Sequence, residues 1–132
     1  MIARRNQTRS RRRRRGTVAI EYALILPALL LFVIGIIDTG RLMWTYTTLS
    51  RAAEAAARCA AINTIDCGTE AQIQSYAASQ AWGLTISAAA FTATTETCGI
   101  QVKGVHAFTF AIPALTEAFG TITLKATACY PT

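Results

Sequence analysis

The side chains that could do chemistry in this chain of 132 residues are few and scattered. His106, the one histidine, lies beside phenylalanines in an alternating stretch, where we expect a packed or half-exposed imidazole rather than a general base. The acids outside the N-terminal apolar run show no paired spacing: Asp38, Glu54, Asp66, Glu70, Glu96 and Glu117. The sequence has no glycine-rich phosphate loop, nucleophile elbow or metal-ligand cluster. We therefore expect no enzymatic activity, no metal site and no cofactor.

Glu21 is the one acid in an unusual setting, because it lies in an apolar run from Thr17 to Ile37 that also contains Pro27. As a helix rising about 1.5 Å per residue, this run spans roughly 31 Å, which matches the hydrocarbon core of a bilayer. A carboxylate just inside a membrane span is costly and marks a function with a partner. The plain alternative is a side chain that snorkels into the headgroup layer. We favour the functional interpretation.

A basic segment precedes this run, with eight arginines and no acid in residues 1–16. The rest of the chain carries 5 basic against 7 acidic residues, a net charge of −2, which gives a nucleic acid no electrostatic footprint. Beside a membrane span, the arginines favour retention of the N-terminus in the cytoplasm. An ordinary signal peptide fits poorly, because the apolar run is too long and no Ala-x-Ala follows. We expect residues after about 40 to lie outside.

Four cysteines lie in that outer part: Cys59, Cys67, Cys98 and Cys129. An even number in an oxidising compartment predicts disulfides, and the spacings do not resemble a zinc site. Three pairings are possible. We prefer Cys59 with Cys67, which closes a short loop, and Cys98 with Cys129, which flank neighbouring predicted strands. Chain-entropy estimates give a stabilisation of roughly 2.5 and 3.7 kcal/mol respectively.

Two helices are predicted before residue 85. The outer continuation of the apolar helix has an amphipathic stripe: Leu42, Tyr46, Leu49, Ala53, Ala56 and Ala60. One long helix should therefore run from about residue 18 to about 61. Trp44 and Tyr46 would lie near the outer membrane interface or pack against the external domain. Thr69 and Gln72 form a capping-box pattern for a second, shorter helix that Gly83 ends. Its predicted buried stripe is Ile73, Tyr76, Ala77, Ala81 and Leu84.

After this helix the sequence alternates and is rich in β-branched residues, which predicts strands over 85–94, 100–112 and 120–129, with a connecting loop over 113–120. One face of the second strand would carry Val102, His106, Phe108, Phe110 and Ile112. One face of the third would carry Ile122, Leu124, Ala126 and Ala128. The simplest architecture is an α+β fold with a three-stranded antiparallel sheet packed on the outer half of the long helix.

The segment Gly16-Thr17-Val18-Ala19-Ile20-Glu21-Tyr22, between a basic leader and an apolar run, resembles a prepilin-peptidase processing site. The Glu-Tyr pair is similar to that of the tight-adherence (Tad) branch of type IVb pilins. The stretch from Gly16 to about Arg58 resembles the TadE-like pseudopilin family. The resemblance implies cleavage after Gly16, so that Thr17 becomes the N-terminus and Glu21 the fifth residue of a pilin-like mature chain.

The resemblance also implies a function, which is that of a minor pilin or pseudopilin required for a Tad pilus that serves adhesion and biofilm formation. The implied partners are a prepilin peptidase, other pilin subunits and the inner-membrane assembly platform. The implied location is the bacterial inner membrane, with the external domain in the periplasm or in an extracellular pilus. The ammonium of Thr17 would pair with Glu21, most simply between neighbouring subunits, and Tyr22 would accompany it in assembly.

These inferences divide the chain into a cleaved basic leader (1–16), a transmembrane helix (17–37), an extramembrane continuation (38–61) and a small disulfide-bonded external domain (62–132). Two other functions remain open at this point. The chain could be an uncleaved single-span anchor that displays a binding domain in the cell envelope. Alternatively, the arginine tract could bind nucleic acid, which the loss of residues 1–16 would exclude.

Overall fold

The computed structural model describes the backbone of residues 4–132 and the side chains of residues 19–113 and 115–132. The chain divides into two compact units, Met1–Ile37 and Asp38–Thr132. The elements are helices α1 (Arg4–Ile62) and α2 (Glu70–Gln80), strands β1 (Phe91–Glu96) and β2 (Gly99–Phe108), helix α3 (Pro113–Phe119) and strand β3 (Ile122–Tyr130). This order confirms the predicted α+β fold of a long helix, a short helix and a three-stranded sheet.

Residues 38–62 of α1, its outer part, present small side chains to the rest of the second unit. Its buried face consists of Thr45, Thr48, Leu49, Ala52, Ala53, Ala56, Ala57 and Ala60. The predicted stripe is confirmed from Leu49 onward, whereas Leu42 is only half-buried and Tyr46 is exposed. Alanine favours the helix and adds little bulk, so the helix backbone can lie close to the elements that cover it.

Helix α2 begins as its sequence predicts. The Thr69 hydroxyl accepts a hydrogen bond from the Gln72 backbone N–H, and the Gln72 side chain accepts one from the Thr69 N–H, which completes the capping box. Ile73, Ala77 and Ala81 form the buried face, with Tyr76 and Leu84 half-buried. The helix ends at Gln80, three residues before the predicted Gly83. Gly83 has a φ of +74° and lies in the turn that follows the helix.

The sheet has the order β1-β2-β3, and both pairs of neighbours are antiparallel. Phe91 pairs with Gly104, and Phe108 pairs with Ile122. Val102 and Phe108 are buried on one face of β2 with His106 half-buried between them, as predicted. The predicted β2 was too long, because the strand ends at Phe108 and Phe110 and Ile112 lie beyond it.

The start of β1 and the loop after β2 differ from the sequence prediction. Residues 88–90 form a 3-10 turn that begins where the Ser87 hydroxyl accepts from the Ala89 N–H, so the strand starts only at Phe91. The predicted loop over 113–120 contains helix α3. Pro113 lies in its first turn, where a missing N–H costs nothing, and Gly120 ends it with a φ of +74°.

The core of the second unit lies between α1, α2 and the inner face of the sheet. Its largest fully buried side chains are Phe91, Leu49, Val102 and Cys67. Gly104 is required at the centre, because a Cβ there would lie 2.8 Å from Phe91 Cε1 and 2.9 Å from Leu49 Cδ1. Both aromatic and aliphatic side chains would have to move to admit even alanine.

Strand β2 lies along α1 in the antiparallel direction. The Phe108 ring at the end of the strand lies under the Arg41 guanidinium, with Cζ 5.5 Å from the ring centroid. Further along, Gly104 lies against Leu49. Phe108 and the residues that follow β2 therefore lie at the same end of the second unit as Asp38, its first residue. We call this end the Asp38 end.

Two disulfides close the fold, and both preferred pairings are confirmed. Cys59–Cys67 links the end of α1 to the loop before α2, with the Cα atoms 5.8 Å apart. Cys98–Cys129 links the β1–β2 turn to β3, with the Cα atoms 6.3 Å apart. The second link joins residues 31 apart in sequence, against 8 for the first, so it constrains the larger loop.

Candidate functional site

The candidate site is the N-terminal stretch of α1 that the sequence singles out for processing and assembly. From Ala19 the helix is long and apolar enough to cross a membrane by length and composition. None of its most apolar 18-residue window is buried within the structure. Large side chains are exposed along it: Ile20, Leu24, Ile25, Leu26, Leu29, Leu30, Leu31, Phe32, Val33, Ile36 and Ile37. This surface needs a lipid or protein environment that the chain itself does not supply.

Glu21 and Tyr22 lie in the first described turn of this stretch. Both are exposed, and 69% of Tyr22 is accessible. Within residues 19–113 and 115–132, the Glu21 carboxylate has no hydrogen-bond or ion-pair partner. A carboxylate in this setting can accept an ion pair from a cation of another chain.

The predicted cleavage site, Gly16 and Thr17, lies outside the residues whose side chains the structure describes. Helical spacing nevertheless relates Thr17 to Glu21, because residues four apart share one face and differ by about 6 Å along the axis. Cleavage and pairing at these positions stay predictions.

Pro27 lies inside α1. It has no N–H to donate to the carbonyl four residues earlier, that of Ala23, and its ring crowds that carbonyl. Such a position in a membrane-spanning helix loosens the hydrogen-bond ladder locally. The Ala23 carbonyl thus loses its usual helical donor, and Ala23 directly follows Tyr22 in the sequence.

Asp38 is the polar residue that sequence reasoning undervalued, since it appeared only as one of the scattered acids. It is 3% exposed, and its two carboxylate oxygens accept from the Ala111 backbone N–H at 3.2 and 3.1 Å. The Arg41 guanidinium donates to it at 2.7 Å. The sequence did contain a signal for its burial, because Asp38 lies seven residues before Thr45 and eleven before Leu49, on the buried stripe of α1.

The residues considered for catalysis are not brought together. His106 is half-buried on β2, opposite Leu124 of β3. Among the described residues, no three His, Cys, Asp or Glu side chains lie in a group that could hold a metal.

Trp44 and Tyr46, the two aromatic residues predicted near the membrane interface, are exposed by 61% and 46%. Trp44 lines an open cleft with Arg51 on α1 and with Trp82 beyond α2. Trp82 is itself 75% exposed. Both tryptophans of the chain therefore present an indole to the surroundings rather than to the core.

Comparison with known proteins gives one match. Neither a curated protein nor a solved structure matches the chain. The family model described as TadE-like protein matches residues 16–58, which contain the predicted cleavage site, Glu21, the apolar run and most of the buried alanine stripe. Residues 16–58 thus match the TadE-like family that the sequence resembles.

Proposed function

We propose that this protein is a minor pilin or pseudopilin of a Tad-type pilus. A prepilin peptidase cleaves it after Gly16, and the mature chain is incorporated into the pilus or required for its assembly. The match to the TadE-like family over residues 16–58 carries this proposal, because it begins at the glycine where cleavage is expected. Adhesion and biofilm formation follow as the processes that such a pilus serves.

The charge distribution supports a single-pass topology with the N-terminus in the cytoplasm. Eight arginines precede the apolar stretch, whereas residues 17–132, which include the stretch, have a net charge of −2. The external domain then lies in the periplasm of a bacterial inner membrane, and in an extracellular pilus once assembled. Its two disulfides suit an oxidising compartment.

Glu21 has a specific role in this proposal. Cleavage creates an ammonium group at Thr17, and the Glu21 carboxylate of a neighbouring subunit pairs with it in the apolar environment of the packed helices. Removal of either charge leaves the other one buried without a partner, which is far costlier than the loss of an exposed ion pair. The exposed leucine and isoleucine side chains around Glu21 provide the packing surface.

The test is incorporation into sheared filaments. Cells that carry the peptidase and the other pilus components would produce wild-type, Glu21→Ala or Glu54→Ala protein. We expect all three in the membrane fraction, with Glu21→Ala lost from the filaments and filament yield reduced. Glu54 is the matched control, since it is an exposed acid of α1 outside the apolar stretch.

Wild-type filament yield and incorporation of Glu21→Ala would remove the ion-pair role. Normal pili in cells that lack the protein altogether, with an intact uncleaved chain in the membrane, would instead favour the single-span display anchor. The two outcomes are separable because the first concerns one residue and the second the whole chain.

A further inference from the structure

The connection between β2 and β3, residues 109–121, is unusually apolar for an exposed segment. It carries one charged side chain, Glu117, among two phenylalanines and several aliphatic residues. Phe119 is 73% exposed, and its ring lies 6.3 Å from that of Phe110. Phe119 is therefore the side chain of this segment that an apolar environment would cover, and the position of the segment decides which environment that is.

The structure fixes where this segment lies in the second unit. The Ala111 N–H donates to the buried carboxylate of Asp38, at 3.1 Å to the nearer oxygen. Asp38 is the residue that directly follows Ile37, the end of the apolar run. A hydrogen bond therefore holds the segment beside Asp38, the residue at which the chain leaves the apolar stretch.

Other side chains at the Asp38 end are of the kind that lipid headgroups attract. Arg41 is half-exposed beside Asp38, and an arginine there can reach a lipid phosphate. Trp44, three residues after Arg41 on α1, is exposed. Arginine together with amphipathic aromatic rings is typical of the interfacial layer of a bilayer.

Charge distinguishes the two ends of the unit only weakly. The opposite end has three exposed acids, Asp66, Glu70 and Glu96, and one exposed base, Arg58, a net charge of −2. Asp38, Arg41 and Glu117 give the Asp38 end a net charge of −1. The direct connection of Asp38 to the apolar stretch, rather than charge, therefore favours a membrane surface as the partner.

We propose that residues 109–121 form an interfacial segment that lies in the headgroup layer of the outer leaflet, with the Phe119 ring inserted and Asp38 as its tether. This inference rests on the membrane span of the proposed function. The segment would hold the external domain against the membrane before the subunit enters a filament.

Single-tryptophan fluorescence tests the proposal with the full chain reconstituted in phosphatidylethanolamine/phosphatidylglycerol vesicles. The native tryptophans, Trp44 and Trp82, are first replaced by phenylalanine. Phe119→Trp then reports on the segment, and Ala118→Trp is a second reporter in the same turn. Ile65→Trp is the matched control, since Ile65 is 86% exposed at the opposite end. Leu29→Trp reports on the span itself.

We expect the reporters at 118 and 119 to emit at shorter wavelength than the reporter at 65. Lipids spin-labelled at the headgroup should quench them, whereas aqueous iodide should quench only the reporter at 65. Reporters at 118 and 119 that behave like the one at 65 would overturn the inference. A wavelength shift that vanishes when protein is diluted in lipid would also overturn it, because the partner would then be a second copy.

The reporter at 29 separates this inference from the proposed function. If lipids labelled in the acyl chain quench it while the reporters at 118 and 119 stay in water, only the interfacial segment is wrong. If it also stays in water, the span is wrong and both proposals fail.

Discussion

The two stretches of helix α1, residues 19–37 and 38–62, differ in what their side chains contact. The first has large apolar side chains and exposes nearly all of them. The second has mostly alanine and threonine on one face and buries them against the rest of the second unit. Small side chains serve packing within the chain, whereas the leucines and isoleucines require an environment outside it. One continuous helix thus contributes to two kinds of packing.

Asp38 and Glu21, one acid from each stretch, differ in the same way. Asp38 is buried and has both a backbone N–H and Arg41 as partners. Glu21 is exposed and has none among the described side chains. A satisfied acid stabilises its own fold, while an unsatisfied acid in an apolar setting is available to another chain.

The largest expected effect separates the two stretches through matched phenylalanines. Phe91→Ala should lower the free energy of unfolding of the external domain by about 3–5 kcal/mol, because Phe91 is fully buried and its removal leaves a cavity. Phe32→Ala, on the exposed apolar stretch, should change it by less than about 0.5 kcal/mol. Denaturant unfolding in detergent micelles, monitored by a signal from the external domain, measures the change in both variants. Equal losses would contradict the division.

The next effect concerns the cross-link of the sheet. Replacing Cys98 and Cys129 together by alanine should lower the free energy of unfolding by about 3.7 kcal/mol, since the unfolded chain regains the freedom of a 31-residue loop. Both cysteines are exposed, so no cavity is created. Thr97→Ala, next to Cys98, is the control and should change little. Unchanged stability in the double variant would show that the link does not constrain the unfolded state.

A smaller effect is expected at the buried acid. Asp38→Ala should lower the free energy of unfolding by about 1.5–3 kcal/mol, because the Ala111 N–H and Arg41 lose a charged acceptor. Amide exchange at Ala111 should become faster at the same time. Glu117→Ala, an exposed acid of α3, should affect neither quantity. Slow exchange at Ala111 in the Asp38 variant would mean that the tether is not what holds this segment.

Patterns that depend on neighbours in sequence were predictable. The capping box of Thr69 and Gln72 and the alternation of Val102, His106 and Phe108 need only local geometry, and the structure confirms both. The disulfides also followed, since the predicted strand ends place Cys98 near Cys129. The loop predicted over 113–120 was wrong, because Pro113 lies in the first turn of α3, where proline is well tolerated.

Long-range contacts were not predictable from the sequence. The hydrogen bond from Ala111 to Asp38 joins positions 73 residues apart, and only the packing of β2 along α1 brings them together. For the candidate site, the sequence indicates the residues but the structure of one chain does not supply their partners. Gly16, Thr17 and Glu21 are conspicuous in sequence, but their proposed partners are a peptidase and other subunits, so the fold of one chain does not complete the site.

The most direct test of the account is the intact mass of the protein made together with its prepilin peptidase. We predict a mature chain that begins at Thr17, and a Gly16→Leu variant that keeps its leader because a bulky side chain blocks the approach of the protease to the backbone. A wild-type chain that still begins at Met1 in the presence of active peptidase would contradict the central claim that this is a processed pilus subunit.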